Sequence, residues 1–219
     1  MPEPEAGAEV IVVGSFKGGA GKSRLAVMAA LYLAVVHKKK VHVVDGDSVS
    51  QTAWKWQRHV RRTPQLDWPI EVSSHPVDSI DEHIEDLEAD NDVIIADIGG
   101  GNPAVFHASL RRAKHLLVPV GADPSETETL LPTWEAAKTA ASQSVVGGFE
   151  AYVILSRTDH QTSLPREARA EIEKKYPLCD TELVKRVAYQ RAYKTLPSDF
   201  LDIPALLAEI GIAPLPRKK

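Results

Sequence analysis

Residues 14–23 read Gly-Ser-Phe-Lys-Gly-Gly-Ala-Gly-Lys-Ser, between an apolar run at 10–13 and helix-forming residues at 24–36. A strand, a glycine-rich turn and a helix N-terminus form an anion cradle, because backbone N–H groups and the helix dipole point at one phosphate. The sequence therefore predicts a phosphate-binding loop. In such a loop Lys22 reaches the β- and γ-phosphates of a nucleotide, and the Ser23 hydroxyl binds Mg²⁺.

Two residues of the loop differ from the usual pattern: Phe16 stands where a first glycine is expected, and Lys17 is an additional lysine. The run Lys-Gly-Gly-Ala-Gly-Lys-Ser resembles the deviant Walker A motif of the ParA/MinD group of ATPases, which often lacks that glycine. The resemblance implies that Lys17 crosses the interface of an ATP-sandwiched homodimer to contact the partner's ATP, and that Lys22 is also catalytic. It assigns nucleotide contacts to the loop residues Gly18, Gly19, Ala20, Gly21, Lys22, Ser23 and Arg24.

Carboxylates follow two further apolar runs. Asp45 and Asp47 end the run at 41–44, and in the ParA/MinD group the matching pair orders the magnesium shell and positions the attacking water, respectively. Asp97 ends the run at 93–96 in a Walker B pattern, whose carboxylate binds Mg²⁺ through water. The resemblance thus gives Ser23, Asp45 and Asp97 as the metal site, with Asp47 as a catalytic residue.

The residues that follow these carboxylates depart from the ParA/MinD pattern. Ser48-Val49 replaces the usual Pro-Gln, and Ile98-Gly99-Gly100 replaces the usual Thr-Pro-Pro. Glycines are costly to order, so we expect the second segment to be a flexible switch with N–H groups free to approach a γ-phosphate.

Two later segments are similar to other parts of the nucleotide site of this group. Ser156-Arg157 stands where the group has Asn-Arg against adenine, so Arg157 is expected to stack on the base or, alternatively, to be an ordinary surface arginine. Strict adenine selectivity is not predicted, since Ser156 replaces the Asn. Glu126 and Glu128 follow a segment resembling the group's Pro-Val-x-Pro-Ser region, and they are expected at a helix N-terminus that faces the partner protomer.

Short apolar runs alternate with helical patterns along the chain. This alternation predicts an α/β fold, with a doubly wound, mostly parallel sheet flanked by helices, as in P-loop NTPases of the deviant Walker A type. We expect a disordered acidic tail at 1–8, one ATPase domain at 9–212 and a C-terminal tail at 213–219, which leaves no room for an N-terminal DNA-binding domain. The predicted strands are 10–13, 41–44, 93–96, 116–120 and 151–155, and the predicted helices are 24–36, 79–89, 104–113, 131–141 and 165–175.

The composition indicates where the protein is located and which partners it can contact. The 219 residues carry a net charge of −4, so contact with nucleic acid needs a local basic patch. The single cysteine, Cys179, and the acidic, proline-containing N-terminus favour the cytoplasm over secretion. No apolar run approaches the length of a membrane-spanning helix, and the prolines after residue 200 argue against a membrane-surface helix.

Two basic stretches without acids are candidate DNA contacts. Lys185, Arg186, Arg191 and Lys194 lie in a segment that resembles one with which ParA relatives bind DNA without sequence preference, whereas 54–62 contains four cations and two tryptophans. Such contacts are made to phosphates. A solvated helix face is the alternative for both stretches, and we interpret the tryptophans as packing residues. The acidic segment 78–92 should face away from DNA.

The resemblance is strongest to the short ParA-type partition ATPases, nucleoid-associated proteins that use ATP and Mg²⁺. It implies an ATP-dependent homodimer on non-specific DNA, and slow hydrolysis stimulated by a ParB-like adaptor during plasmid or chromosome partition. Two alternatives remain open: an ATP-dependent small-molecule synthetase or ligase, and an ATPase that positions a protein cargo. A metal-cluster ATPase of the same superfamily would need paired cysteines.

Overall fold

The sheet lies at the centre of the chain and is parallel throughout. In the computed structural model, which describes residues 7–63 and 65–216, seven strands are arranged in the order β3-β2-β4-β1-β5-β6-β7. The predicted fold class is confirmed, whereas the outer parts of both predicted tails, 1–6 and 217–219, lie outside the described residues. The strands are β1 (Glu9–Gly14), β2 (Val41–Asp45), β3 (Glu71–Ser74), β4 (Val93–Ile98), β5 (His115–Val120), β6 (Glu150–Thr158) and β7 (Leu183–Val184).

Helices cover both faces of the sheet, as burial on both sides of a parallel sheet requires. Val10 and Val12 of β1 pack into one apolar layer, while Ile11 and Val13 pack into the other, because successive strand residues point to opposite faces. The helices of the described residues are α1 (Lys22–His37), α2 (Thr52–Val60), α3 (Ile80–Glu88), α4 (Pro103–Leu110), α5 (Pro124–Thr127), α6 (Leu130–Ala141), α7 (Leu164–Ile172), α8 (Val187–Ala192) and α9 (Ile203–Glu209).

The five predicted strands and five predicted helices are all present, with ends shifted by a few residues. Elements without a long apolar pattern were not predicted: the edge strand β3, the two-residue β7, and α2, α8 and α9, whereas the helix start expected at Glu126 is present as α5. In β3, one of the four side chains is buried. These short elements are stabilised by tertiary contacts, which local sequence does not encode.

Helix α2 confirms the packing interpretation of the tryptophans. Trp56 is fully buried, and its indole N–H donates to the Thr195 carbonyl oxygen at 2.9 Å. Trp54 is partly buried against the same apolar layer. The basic side chains of this stretch lie on the opposite, exposed side of the helix, where Arg61 pairs with Glu71 at 2.5 Å.

Three histidines lie together where β2 and β3 pack against α3. The Nε2 atoms of His42 and His83 are each 2.9 Å from the Ser73 hydroxyl oxygen, and the His75 ring stacks on His83 at 4.6 Å. Burial and the neighbouring His83 lower the pKa of His42 to about 4, despite the opposing charge of Glu71. Burial, and next His75, also lower the pKa of His83, which Asp86 opposes.

Stability is therefore expected to fall on acidification. Both imidazoles are neutral in the folded chain, whereas the unfolded chain takes up their protons below pH ~6.5, so free energy of unfolding is lost between about pH 6.5 and pH 4. Since the cluster is partly exposed, we expect a loss on the order of 1–2 kcal/mol. Urea unfolding at pH 7 and pH 5 measures it. His42→Gln should reduce the pH dependence, and His59→Gln on the exposed side of α2 should not; equal pH dependence in all three proteins would contradict the assignment.

Candidate nucleotide-binding site

The phosphate-binding loop connects the end of β1 to the start of α1 at the carboxyl edge of the sheet. Gly19 and Gly21 have φ values of 79° and 92°, left-handed conformations that favour glycine. Lys22 is 8% exposed, and its Nζ donates to the Lys17 carbonyl oxygen at 2.6 Å. The ammonium therefore points back over the loop, where a bound anion would lie. Ser23 and Arg24 follow in the first turn of α1, while Gly18 is exposed on the loop.

Phe16 anchors the loop in place of the missing glycine. Its N–H donates to the Thr133 hydroxyl of α6 at 3.2 Å, and its ring packs edge-to-face on Phe106 of α4 with centroids 5.2 Å apart. On the other side of the loop, the buried Ser156 hydroxyl donates to the Ala20 carbonyl oxygen at 2.7 Å. Two helices and a strand end therefore hold the loop from both sides.

Asp45 and Asp97 lie side by side at the ends of β2 and β4, where the two residues are register partners. Both are buried. Asp45 accepts hydrogen bonds from the N–H groups of Asp47 at 3.1 Å and Trp54 at 2.9 Å, so it ties the loop after β2 to the start of α2. Asp97 differs, because its Oδ2 is buried without a hydrogen-bond partner among the described residues.

Burial raises the pKa of both carboxyl groups. Burial, and then the charge of Asp45, raise the pKa of Asp97 to about 7, although Ser23 and Lys22 oppose the shift. The pKa of Asp45 is also raised, chiefly by burial. A pair of this kind is stabilised by a cation, since positive charge removes the repulsion that the buried carboxylates exert on each other.

Asp47 is held by its own turn. Its Oδ1 accepts the N–H groups of Val49 and Ser50 at 2.8 and 3.0 Å, and its Oδ2 accepts the Ser50 hydroxyl at 2.5 Å. Burial alone would raise the pKa of Asp47, but these hydrogen bonds and the Lys22 charge outweigh it and lower the pKa. Asp47 is thus ionised at neutral pH and lies on the side of the loop that faces Lys22.

Gly99 and Gly100 are packed closely, which gives a steric reason for glycine at these positions; the predicted flexibility of the segment stays a prediction. A Cβ at Gly99 would lie 2.7 Å from Asp47 Cγ, and a Cβ at Gly100 would lie 2.6 Å from the Phe16 carbonyl oxygen. Steric contact with the carboxylate and the phosphate-binding loop explains these glycines. The segment after β4 and the loop are therefore mechanically coupled.

A cavity of about 460 Å³ opens beside the loop at Gly21. Arg24 and Arg157, both predicted to contact a nucleotide, line it together with Glu126. The Arg157 guanidinium forms an ion pair with Glu126, with Nη2 2.6 Å from both carboxylate oxygens. Burial, partly offset by Tyr189, lowers the pKa of Arg24, and the nearby Arg157 charge adds to the shift.

The four residues predicted to contact DNA are all exposed. Lys185 and Arg186 also line the mouth of this cavity, and Arg186 pairs with Asp202 at 2.8 Å. Arg191 lies at the end of α8, and Lys194 lies just after it.

The contacts of three residues were not predicted from sequence, although Glu126 was expected at a helix N-terminus that faces the partner protomer. Thr133 holds Phe16 across 117 positions, and Glu126 pairs with Arg157 across 31 positions. Ser156 was considered only as a base contact, whereas it holds the loop. A buried polar residue at the end of an apolar strand was the available signal for Ser156; no local signal existed for the other two.

The two carboxylates at the ends of β2 and β4 suit a hard cation that takes its remaining ligands from water or phosphate. Within residues 7–63 and 65–216, no group of three or more His, Cys, Asp or Glu side chains could hold a metal ion. Mg²⁺ is commonly bound by one or two carboxylates together with waters and phosphates, which matches the buried pair Asp45 and Asp97. In the described part of the chain, no helix has the length and apolarity to cross a bilayer.

Comparisons with known proteins relate the chain to solved structures. No protein-family model matches it, and no curated protein matches it in sequence. An ATP complex of a McdA variant from Cyanothece matches with a TM-score of 0.71 and 14% identity, covering 96% of this chain and 99% of that one. A putative plasmid partition protein from Borrelia burgdorferi, bound to AMPPNP, matches with a TM-score of 0.72 and 14% identity, covering 94% and 98%.

The cobyrinic acid a,c-diamide synthase of Mycobacterium smegmatis, with ADP and magnesium, matches with a TM-score of 0.71 and 13% identity, covering 95% of this chain and 98% of that one. The likeness extends over nearly the whole of each chain, and at these identities it concerns the fold. The chain has the P-loop ATPase fold of the ParA/MinD type.

Proposed function

We propose that the chain is a ParA-like ATPase that binds ATP with Mg²⁺, forms an ATP-sandwiched homodimer and binds DNA without sequence preference. A ParB-like adaptor would stimulate its slow hydrolysis during plasmid or chromosome partition. The observation that carries the proposal is the meeting of Lys22 and the buried Asp45–Asp97 pair at one edge of the sheet, where Asp97 Oδ2 has no hydrogen-bond partner within 7–63 and 65–216.

The residues at this edge fit a magnesium–nucleotide complex. Ser23, Asp45 and Asp97 would hold the metal, which would neutralise phosphate charge during transfer to water. The loop N–H groups and Lys22 would bind the phosphates. Lys22 now donates to the Lys17 carbonyl, so exchanging this contact for a phosphate leaves no buried ammonium unpaired.

Asp47 would orient the attacking water. Its carboxylate is ionised and accepts three hydrogen bonds from residues 49 and 50, two at Oδ1 and one at Oδ2, so Oδ2 keeps a lone pair that can accept from water. Lys17 lies partly exposed on the same loop, where it could reach the nucleotide of a second copy.

DNA binding would use the exposed Arg191 and Lys194, with Lys185 and Arg186 closer to the nucleotide cavity. Since the latter pair lines the cavity, nucleotide binding and DNA binding would share one segment of chain, 185–194. Nucleoid association would follow from non-specific contacts with phosphates.

A second candidate function is an ATP-dependent small-molecule synthetase. The similarity to cobyrinic acid a,c-diamide synthase favours it, since its TM-score of 0.71 equals that of the McdA complex. In this case the cavity beside Gly21 would be expected to extend to a second substrate, and turnover would require that substrate rather than DNA or an adaptor.

Binding to random-sequence duplex DNA tests the proposal, measured with ATP, with ADP and without nucleotide at two salt concentrations. We expect salt-sensitive binding with ATP alone, retained or strengthened in Asp47→Ala. The double variant Arg191→Ala/Lys194→Ala should bind about tenfold more weakly, with a shallower salt dependence because each lost phosphate contact removes about 0.9 from the slope. Lys39→Ala/Lys40→Ala, at the amino edge of the sheet, is the matched control.

Absence of DNA binding in every nucleotide state would contradict the partition role and favour the synthetase or a protein cargo. Equal binding with and without ATP would contradict the nucleotide switch.

A further inference from the structure

We propose that Glu126 is a positioning residue, which fixes the Arg157 guanidinium as a wall for the base of a bound nucleotide. The inference rests on the proposed function, because it requires that the cavity beside Gly21 receives the base and ribose of the nucleotide. It concerns a residue for which the sequence indicated a helix N-terminus that faces the partner protomer, and no contact with Arg157.

The contact between the two side chains is close and partly shielded from water. Arg157 Nη2 lies 2.6 Å from both oxygens of Glu126, whose side chain is 15% exposed. Glu126 Oε2 also accepts the Gly121 N–H at 3.0 Å. The carboxylate is thus held from two directions, by the loop after β5 and by the guanidinium at the end of β6.

Gly121 provides the space for this arrangement. A Cβ at this position would lie 2.5 Å from Glu126 Oε2 and 2.9 Å from Arg157 Nη2. Any larger residue would push the pair apart. The loop between β5 and α5 is therefore shaped around the ion pair.

The backbone of Arg157 is the second unusual feature. Its φ of 56° lies in the left-handed region, which is unfavourable for a residue with a Cβ. Its neighbours Ser156 and Thr158 are buried in β6, so the strain is maintained by packing on both sides. Strained backbone of this kind is concentrated at functional sites. In this chain the left-handed backbone occurs at Arg157, whose long cationic side chain lines the cavity.

A guanidinium held by a carboxylate suits a stacking role. The planar group stacks on aromatic rings, and prior fixation lowers the entropy lost when a ligand arrives. Glu126 also offsets repulsion, since Arg24 lies close enough to Arg157 for the two charges to interact. Without Glu126, the two guanidinium groups would move apart and the wall would be lost.

The experiment compares ATP with tripolyphosphate, which has no base or ribose, by calorimetry in the presence of Mg²⁺. Glu126→Gln should raise the Kd for ATP about tenfold, a typical effect of losing one such stacking contact, and leave the Kd for tripolyphosphate within twofold. In hydrolysis assays the rise in KM should exceed any change in kcat at least fivefold. Glu173→Gln, which makes the same change at an exposed position just after α7, is the matched control and should behave as the unaltered chain.

Arg157→Gly separates binding from folding. Glycine accepts the left-handed backbone, so the midpoint of thermal unfolding should not fall, while the Kd for ATP should rise by the same tenfold. The double variant Glu126→Gln/Arg157→Gly should bind ATP no more weakly than Arg157→Gly, because both changes remove the same contact between Arg157 and the base.

Three results would overturn the inference: unchanged ATP affinity in Glu126→Gln, an equal loss of tripolyphosphate affinity, or additive losses in the double variant. Failure of the unaltered chain to bind ATP would overturn the proposed function as well, and it is distinguishable because it is seen before any variant is compared.

Discussion

Replacing Asp97 by Asn is expected to lower the rate of ATP hydrolysis roughly 100-fold or more and to raise the stability of the nucleotide-free protein. The carboxylate feels the charges of both Lys22 and Asp45, and its Oδ2 is buried with no hydrogen-bond partner in the part of the chain that the structure describes. The neutral amide keeps the shape of the side chain but loses the charge needed near Mg²⁺. It also removes the repulsion from Asp45 and the cost of burying a second anion, which we expect to stabilise the fold by about 1–3 kcal/mol.

Phosphate release in the presence of ATP and Mg²⁺ measures the first effect. Urea unfolding of the nucleotide-free protein in EDTA measures the second. Asp78→Asn removes the same charge from an exposed position and should change neither quantity. The opposite signs of the two effects are the decisive feature, because a variant that is merely misfolded would lose activity and stability together. An Asp97→Asn protein less stable than the unaltered chain would show that the carboxylate makes a favourable contact in the fold.

The central strands could be predicted because burial on both faces gives continuous apolar runs, such as Val-Ile-Ile-Ala before Asp97. The short elements could not, since their stability comes from contacts with distant residues. Helix α2, for example, depends on Trp56 reaching the Thr195 carbonyl 139 positions away. The sequence of α2 alone is equally compatible with a packed helix and with an exposed basic segment.

Part of the site could be anticipated for a similar reason. In a parallel sheet the carboxyl ends of strands meet at one edge, so the order of Lys22, Asp45 and Asp97 along the chain already places them together. The contacts that restrain them could not be anticipated. The hydrogen bond of Phe16 to Thr133 and the ion pair of Arg157 with Glu126 join loops whose relative positions are set by the fold.

The glycines after Asp97 have two physical explanations. Two consecutive glycines indicate conformational freedom when only the unfolded chain is considered. In the fold, Gly99 lies against Asp47 and Gly100 against the phosphate-binding loop, so the absence of a side chain permits contact. A displacement of this segment can then be transmitted to the loop through packed backbone atoms.

Gly100→Ala is therefore expected to have a large effect on nucleotide binding. Its Cβ would lie 2.6 Å from the Phe16 carbonyl oxygen and 2.7 Å from the carbonyl carbon, both backbone atoms that no rotamer change can move. Ordinary carbon–oxygen contacts are ~3.3–3.6 Å, so the loop must shift by about 1 Å. A displacement of this size at a site that positions reacting groups lowers the rate of hydrolysis roughly 100-fold, in addition to weakening ATP binding, and overpacking should remove about 1–3 kcal/mol of stability.

Gly101→Ala is the matched control, since a Cβ at this neighbouring position meets no atom within 4 Å. Calorimetry with ATP and Mg²⁺ should give the unaltered affinity for Gly101→Ala, and its stability should be equal or slightly higher because alanine restricts the unfolded chain. If Gly100→Ala bound ATP as tightly as Gly101→Ala, the segment after β4 would have to move independently of the phosphate-binding loop. The interpretation of these glycines as a flexible switch would then be correct, and the coupling inferred from packing would be wrong.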